Sequence, residues 1–140
     1  MAASNLEVIV IGAGASGILA GVKLRNAGIE NFVILERSND VGGTWLDNIY
    51  PGCGCDIPAH LYSYSFAPNT EWTRMFASQA ELLAYFRKQA EQFGINPKIR
   101  FNTKAEHASF DAKAACWTVV DSNGASWTAS TLIIATGQLN

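Results

Sequence analysis

Three glycines and one acid near the start of the chain are spaced to hold a pyrophosphate and a ribose. Gly12, Gly14 and Gly17 follow the pattern G-x-G-x-x-G, and Glu36 comes nineteen residues after Gly17. The first glycine permits a tight strand-to-helix turn, and the second lets a pyrophosphate approach the backbone without meeting a Cβ. The third lets the helix pack closely on its strand. The unpaired N–H groups of that helix's first turn would then face the phosphates. Glu36 suits a ribose diol, from which it would accept charge-assisted hydrogen bonds worth roughly 1.5–3 kcal/mol each. Its charge would repel a 2′-phosphate, which disfavours NADP in this pocket, although Arg37 weakens that exclusion.

A bare G-x-G-x-x-G also occurs in ordinary turns, so the flanking elements decide. Leu6 to Ile11 is an apolar, β-branched run that breaks at Gly12, as a strand buried on both faces of a parallel sheet does. From Ala15 the apolar period becomes helical, with Ala15, Ile18, Leu19 and Val22 on one face. Lys23 and Arg25 complement the helix dipole, and Gly28 suits the C-terminal cap. Asn31 to Leu35 forms a second apolar run that ends on Glu36. With strand, helix, second strand and terminal acid all in place, the stretch is expected to be a dinucleotide site.

The remaining composition narrows the class. The chain has 140 residues, 49% of them hydrophobic and 16% charged. Such a chain is long enough for one domain that buries about two-thirds of its unfolded surface. A net charge of −2 gives no reason to expect nucleic acid or an anionic membrane as a partner. No apolar stretch reaches transmembrane length, and the N-terminus lacks the basic region and apolar length of a signal peptide, so the default expectation is a cytoplasmic protein. Three cysteines, an odd number, argue against a disulfide framework. Cys53, Cys55 and His60 would make an incomplete metal set, and loop thiols are the better account, so no metal is expected.

After Glu36 come some forty residues with little periodicity, a length that is usually functional when it occurs inside a domain. Trp45, Tyr50, Tyr62, Tyr64, Phe66, Trp72 and Phe76 are too many aromatics for a solvated linker. Most should anchor the loop, and Trp45 and Tyr62 are the candidates for contact with a ligand. Ser78 and Glu81 have capping-box spacing, and Leu82, Phe86, Ala90 and Phe93 mark one face of a helix that Gly94 ends. Ile99 to Phe101 reads as a short strand. Lys104 to Phe110, Cys116 to Asp121 and Ala125 to Ala129 read as an antiparallel meander, with Asn123-Gly124 as a type I′ turn. Thr131 to Ala135 reads as a final buried strand. The expected fold is α/β: a Rossmann-like βαβ unit plus an antiparallel β-meander. That order favours a flavin-type dinucleotide fold over a nicotinamide-type dehydrogenase, which would repeat βαβ units.

The residues Gly12-Ala-Gly-Ala-Ser-Gly17, Glu36-Arg37, Gly42-Gly-Thr-Trp45, Tyr50-Pro-Gly52, Cys55-Asp56, Ser78-Gln79 and Ala135-Thr-Gly137 carry a family resemblance. In order and spacing the whole chain resembles the N-terminal FAD-binding segment of class B flavoprotein monooxygenases, particularly the Baeyer–Villiger branch. The resemblance implies that Gly12, Gly14, Ala15, Ser16 and Gly17 cradle the FAD pyrophosphate and that Glu36 and Arg37 meet the adenosine ribose. It places Gly43, Thr44, Trp45 and Asp47 at the ribityl and isoalloxazine end, with Tyr62 nearby. Ala105 would meet adenine through its backbone, and Ala135, Thr136 and Gly137 would form a turn close to the cofactor. Asp56 is implied as a catalytic carboxylate on the nicotinamide side, and Gln79 as a residue that reaches the same cavity. Gly54 stands where many members carry an arginine.

On this reading residues 1–140 are one FAD-binding domain, incomplete relative to the family, and NADPH is bound mainly by a domain that lies beyond them. The implied reaction inserts an oxygen atom from O₂ beside a ketone. Oxygenation of nitrogen or sulfur is the sibling alternative, and a non-catalytic FAD-binding module is the alternative for the isolated chain. The implied partners are a small ketone, O₂ and the rest of the parent chain or a complementary domain.

Overall fold

The apolar run that opens the chain becomes the centre of a six-stranded sheet. A computed structural model describes residues 5–138. Strand β1 (Asn5–Ile11) lies between β2 (Phe32–Leu35) and β6 (Ser126–Ile134), parallel to both. Beyond β2 lies the two-residue β3 (Ile99–Arg100), and beyond β6 lie β5 (Cys116–Asp121) and the edge strand β4 (Ala105–Asp111). The order is β3-β2-β1-β6-β5-β4, parallel up to β6 and antiparallel from there on. Successive side chains of the central strands enter two different cores. Val8, Val10 and Ile34 pack under the helices, while Ile9, Val33 and Leu35 join Val119 and Ala129 on the opposite face. Strands covered on both faces need a continuous apolar sequence, and this one has it.

Helix α1 (Ala15–Asn26) ends as its sequence indicated. Gly28 takes φ +78, its N–H donates to Arg25 O, and the N–H of Ile29 donates to Leu24 O. That pair of bonds is a Schellman motif. The capping box of α3 (Gln79–Gln92) also forms, with Ser78 and Glu81 exchanging hydrogen bonds. Leu82, Phe86 and Ala90 of α3 are buried.

Four expectations are corrected. The third meander strand and the final strand are one nine-residue strand, β6, because it serves two neighbours. Its first half pairs with β5, and its length pairs with β1 from Asn5↔Thr128 to Ile11↔Ile134. Its second half is not buried. Pairing with β5 stops at Ala129, so the strand beyond has β1 on one side only, and Ile134 is 69% exposed. The turn at Asn123-Gly124 is not type I′, which needs positive φ at both residues. Only Gly124 is left-handed there, at φ +75. Asp121 Oδ1 accepts from the N–H groups of Asn123 and Ala125 and sets a three-residue loop instead. Burial works against the Asp121 charge, but these bonds and one from Trp127 Nε1 outweigh it and hold the pKa below the ordinary carboxylate value. Finally, the long loop is not without structure. It contains α2 (Thr44–Asp47) and a 3₁₀ turn at Ala59–Leu61, and Trp45, Cys55 and Ala59 are buried.

Among the described residues no helix is long and apolar enough to cross a membrane. Nor does any group of three His, Cys, Asp or Glu among them cluster as a metal site would. Cys53, Cys55 and Cys116 are free thiols.

Candidate dinucleotide-binding cleft

The first glycine loop works because backbone meets backbone around it. Gly12 has φ +99, and a Cβ there would lie 2.5 Å from Ala135 O. A Cβ at Gly17 would lie 1.8 Å from Gly12 O. These two glycines are required by the chain's own packing. Gly14 is different. Its φ of −74 suits any residue, and a Cβ would meet Gly43 Cα at 3.5 Å, an ordinary contact. Nothing in the fold's own packing demands a glycine at 14, and the missing side chain leaves that part of the cleft open.

Gly43 belongs to a second glycine pair that the long loop brings against the first. Its φ of +53 and ψ of −120 exclude most side chains, and a Cβ would approach Gly14 Cα to 3.1 Å. The Gly42 N–H donates to Ala13 O at 3.1 Å, which ties the two loops together. A Cβ at Gly42 would also strike Leu83 of α3. Two side-chain-free backbones thus meet at the N-terminus of α1. No side chain caps that helix, and its first turn carries no acid. Amides at an uncapped helix start are placed to receive an anion.

Glu36 closes the other side of this loop. It is 6% exposed, its Oε2 accepts from the Ala13 N–H at 2.6 Å, and its Oε1 accepts from the Ser38 N–H at 2.8 Å. A carboxylate has about four acceptor positions, so these two bonds fix its orientation without exhausting it. Arg37 turns away from Glu36 and pairs with Asp47 at 2.7 Å, joining the end of β2 to α2.

The ring end of the cleft is held by aromatic packing. Trp45 Nε1 donates to Tyr62 Oη at 3.1 Å, and the two rings meet edge to face with centroids 5.6 Å apart. Gln79, at the start of α3, donates its amide to Trp45 O. Burial pushes the Tyr62 phenol upward, the bond from Trp45 draws it partly back, and the neighbouring Cys55 and Asp56 add to the upward push. Tyr64 anchors the loop by donating to Ala15 O. Together with Phe66, Trp72 and Tyr85 it forms the aromatic packing that the loop composition called for.

These elements surround a cleft of about 330 Å³ at the C-terminal ends of β1, β2 and β6. That is where α/β sheets bind ligands, at the point where connections leave in opposite directions. Gly12, Gly14, Ala15, Ser16, Glu36, Arg37, Gly43, Thr44, Trp45, Asp47, Tyr62, Ala105, Ala135, Thr136 and Gly137 all line it. Three sequence candidates do not. Gly17 sits behind the loop as a packing residue, buried against Gly12. Asp56 is exposed, and its nearest link to the cleft is the Tyr62 phenol, which feels its charge. Gln79 reaches the site only through the Trp45 backbone. Gly54 bridges to Ser78, with a Cβ position 3.0 Å from Ala77 O.

The charged wall residue that sequence reasoning missed is Lys104, whose ammonium pairs with Glu106 at 2.9 Å. No motif marks it. The signal lies in three dimensions, where the Thr103 N–H donates to Glu36 O and delivers Lys104 and Ala105 to the cleft.

Comparison with known proteins agrees with this geometry. Residues 10–78 match the profile of a family described as an NAD(P)-binding Rossmann-like domain. The chain is 46% identical over 136 residues to a Baeyer–Villiger monooxygenase of Streptomyces coelicolor, covering 97% of this chain and 26% of that protein. It is 40% identical over 139 residues to a Baeyer–Villiger monooxygenase of Pseudomonas aeruginosa, covering 99% and 26%. Among solved structures, an oxidized steroid monooxygenase bound to NADP superposes with a TM-score of 0.93 at 36% identity, over 97% of this chain and 27% of that one. The complex of OTEMO with FAD and NADP gives 0.92 at 36% identity, over 99% and 27%. The chain therefore spans about a quarter of the length of the curated relatives it matches.

Proposed function

We propose that this chain, which belongs to the Baeyer–Villiger monooxygenase family as the counterpart of its N-terminal quarter, is the FAD-holding part of an NADPH-dependent enzyme that oxygenates ketones. The observation that carries the reading is Gly14. Its missing side chain serves nothing within the fold, and it faces a cleft at an uncapped helix start. A pyrophosphate would use that space. The residues present therefore fit the cofactor.

In this reading the amides of Ala15 and Ser16 receive the pyrophosphate, with Gly12, Gly14 and Gly43 keeping the approach clear. Glu36 accepts from the adenosine ribose while its bonds to Ala13 and Ser38 keep it in place. Ala105 borders the adenine end, and Thr44, Trp45, Asp47 and Tyr62 border the ring end. Ala135 to Gly137 close the floor, where the Ala135 N–H is already held by Ile11 O. FAD, when bound, supplies the activation of O₂ that oxygen insertion needs, and the protein orients it and limits water. Asp56, exposed beside Tyr62, is the carboxylate available to the nicotinamide side. NADPH would be held mainly by residues outside 1–140, with the remainder of a longer chain or a complementary domain as the partner.

The test is product analysis on the longer protein that carries this segment, supplied with FAD, NADPH, O₂ and a panel of ketones, amines and sulfides. Esters or lactones from ketones are expected. Products confined to N-oxides or S-oxides would overturn the ketone assignment.

A further inference from the structure

Helix α3 contributes no residue to the wall of the cleft, yet both aromatics at the ring end of that wall are held against it. Tyr62 meets Phe86 of α3 edge to face, with centroids 6.3 Å apart. Trp45 is held through its backbone, by the side-chain amide of Gln79 at the start of α3.

This bond answers a shortage that the sequence creates. α2 is one turn long, and the chain leaves it extended at Asn48. The Asn48 N–H donates back to Thr44 O, and the carbonyl after that one has no further helical turn to bind it. That carbonyl belongs to Trp45, and Gln79 supplies its donor. Gln79 also donates its backbone N–H to Cys53 O at 3.0 Å, using one of the amides that a helix start leaves unpaired. One residue thereby ties the long loop at two points to the end of α3 that the Ser78–Glu81 capping box fixes. Trp45 is itself 8% exposed and lines the cleft, and its Nε1–H donates to Tyr62 Oη at 3.1 Å. The Gln79 amide, the Trp45 backbone, the Trp45 ring and the Tyr62 hydroxyl are thus linked in series. The adenosine end is held by other bonds, those of Glu36 to Ala13 and Ser38.

We propose that Gln79 is a positioning residue for the flavin half of the cofactor. Through Trp45 O it sets where the Trp45 ring and the Tyr62 hydroxyl stand at the ring end of the cleft. The inference rests on the FAD reading of that cleft. Without the amide, the Trp45 carbonyl loses its partner and the ring end samples arrangements that do not fit a flavin. Apparent FAD affinity then falls in proportion to the fraction of molecules that keep the fitting arrangement. ADP stops at the pyrophosphate and does not reach the ring end, so its affinity does not follow.

The experiment titrates the chain with FAD and with ADP by calorimetry, beside the variants Gln79→Met and Gln79→Glu. Methionine has nearly the length of glutamine and no donor. Glutamate keeps the shape and, when ionised, turns an acceptor toward the carbonyl. Both variants are expected to bind FAD about tenfold more weakly and ADP within about twofold of the parent. ADP binding also reports that the variants fold. Equal loss of FAD and ADP binding would show that Gln79 only supports the fold, and unchanged FAD binding would show that its bond positions nothing. Either result overturns the inference. A parent chain that binds FAD no tighter than ADP would instead overturn the FAD reading, and this inference with it.

Discussion

Gly14 and Gly17 sit three positions apart and lack side chains for different reasons. A Cβ at Gly17 would lie inside the van der Waals shell of Gly12 O, whereas one at Gly14 would rest in ordinary contact with Gly43. Gly17→Ala is therefore expected to cost about 3 kcal/mol or prevent folding, as overpacking does. Gly14→Ala should cost about 1 kcal/mol at most, the difference between glycine and alanine at a helix start, yet weaken FAD binding by about tenfold or more. Thermal melts paired with FAD titration separate the two effects. Equal loss of stability in both variants would show that Gly14 is a packing residue and remove the main support for the cleft. The spacing alone points to a glycine-rich strand-turn-helix, because the requirements at Gly12 and Gly17 are local to it. It did not show that the second glycine pair packs onto the first, since Gly14 and Gly43 meet only through tertiary folding.

At the scale of elements, α3 was legible because its determinants lie within one turn. Ser78 and Glu81 cap each other, and bonds from the backbone of Thr73 and Ser78 and from the Thr73 hydroxyl hold the Glu81 pKa down to about 2. A lowered folded-state pKa contributes stability that is fully present above the ordinary carboxylate value. That stability is lost as the pH falls toward 2. Glu81→Ala should cost about 1 kcal/mol at neutral pH, in line with other caps, and the gap to the parent should narrow steadily below pH 4.5. Denaturant melts across pH 2–7 check this, and a gap that does not change with pH would exclude the ionised cap. β6 was less legible because its length is set by β1, more than a hundred residues earlier in the chain. The Asn123-Gly124 turn departs from type I′ because the Asp121 carboxylate accepts from two turn amides, a contact the dipeptide alone does not encode.

At the scale of the molecule, almost every cleft residue could be named from the sequence, because the glycine loops, α2 and the Ala135–Gly137 turn each carry a recognisable local pattern. Lys104 could not, since only the Thr103–Glu36 backbone contact brings it there. Nor could the bond from Gln79 to Trp45 O, which forms only when the long loop folds back on α3. Two aspects of the whole fold bear on activity. The edge of β6 beyond Ala129 is not covered by β5, and Asp56 stands exposed outside the cleft wall. Hydride transfer requires a nicotinamide aligned against the flavin, and that alignment supplies much of the rate. Within the described residues one strand-turn-helix glycine loop is present, between β1 and α1. Residues 1–140 with added FAD, NADPH and ketones are therefore expected to form no ester or lactone, and stoichiometric ester formation would show that the chain holds NADPH by itself.

The central claim, that this cleft is built for FAD, is tested most directly by fluorescence titration of the chain with FAD, with FMN as competitor and Glu36→Ala as the variant. FMN lacks the adenosine half that Glu36 and the glycine loop would hold. The account predicts saturable FAD binding that FMN displaces poorly and that weakens about tenfold or more in Glu36→Ala, the loss expected for a charge-assisted bond. FAD affinity equal to that of FMN, or unchanged in Glu36→Ala, would contradict it.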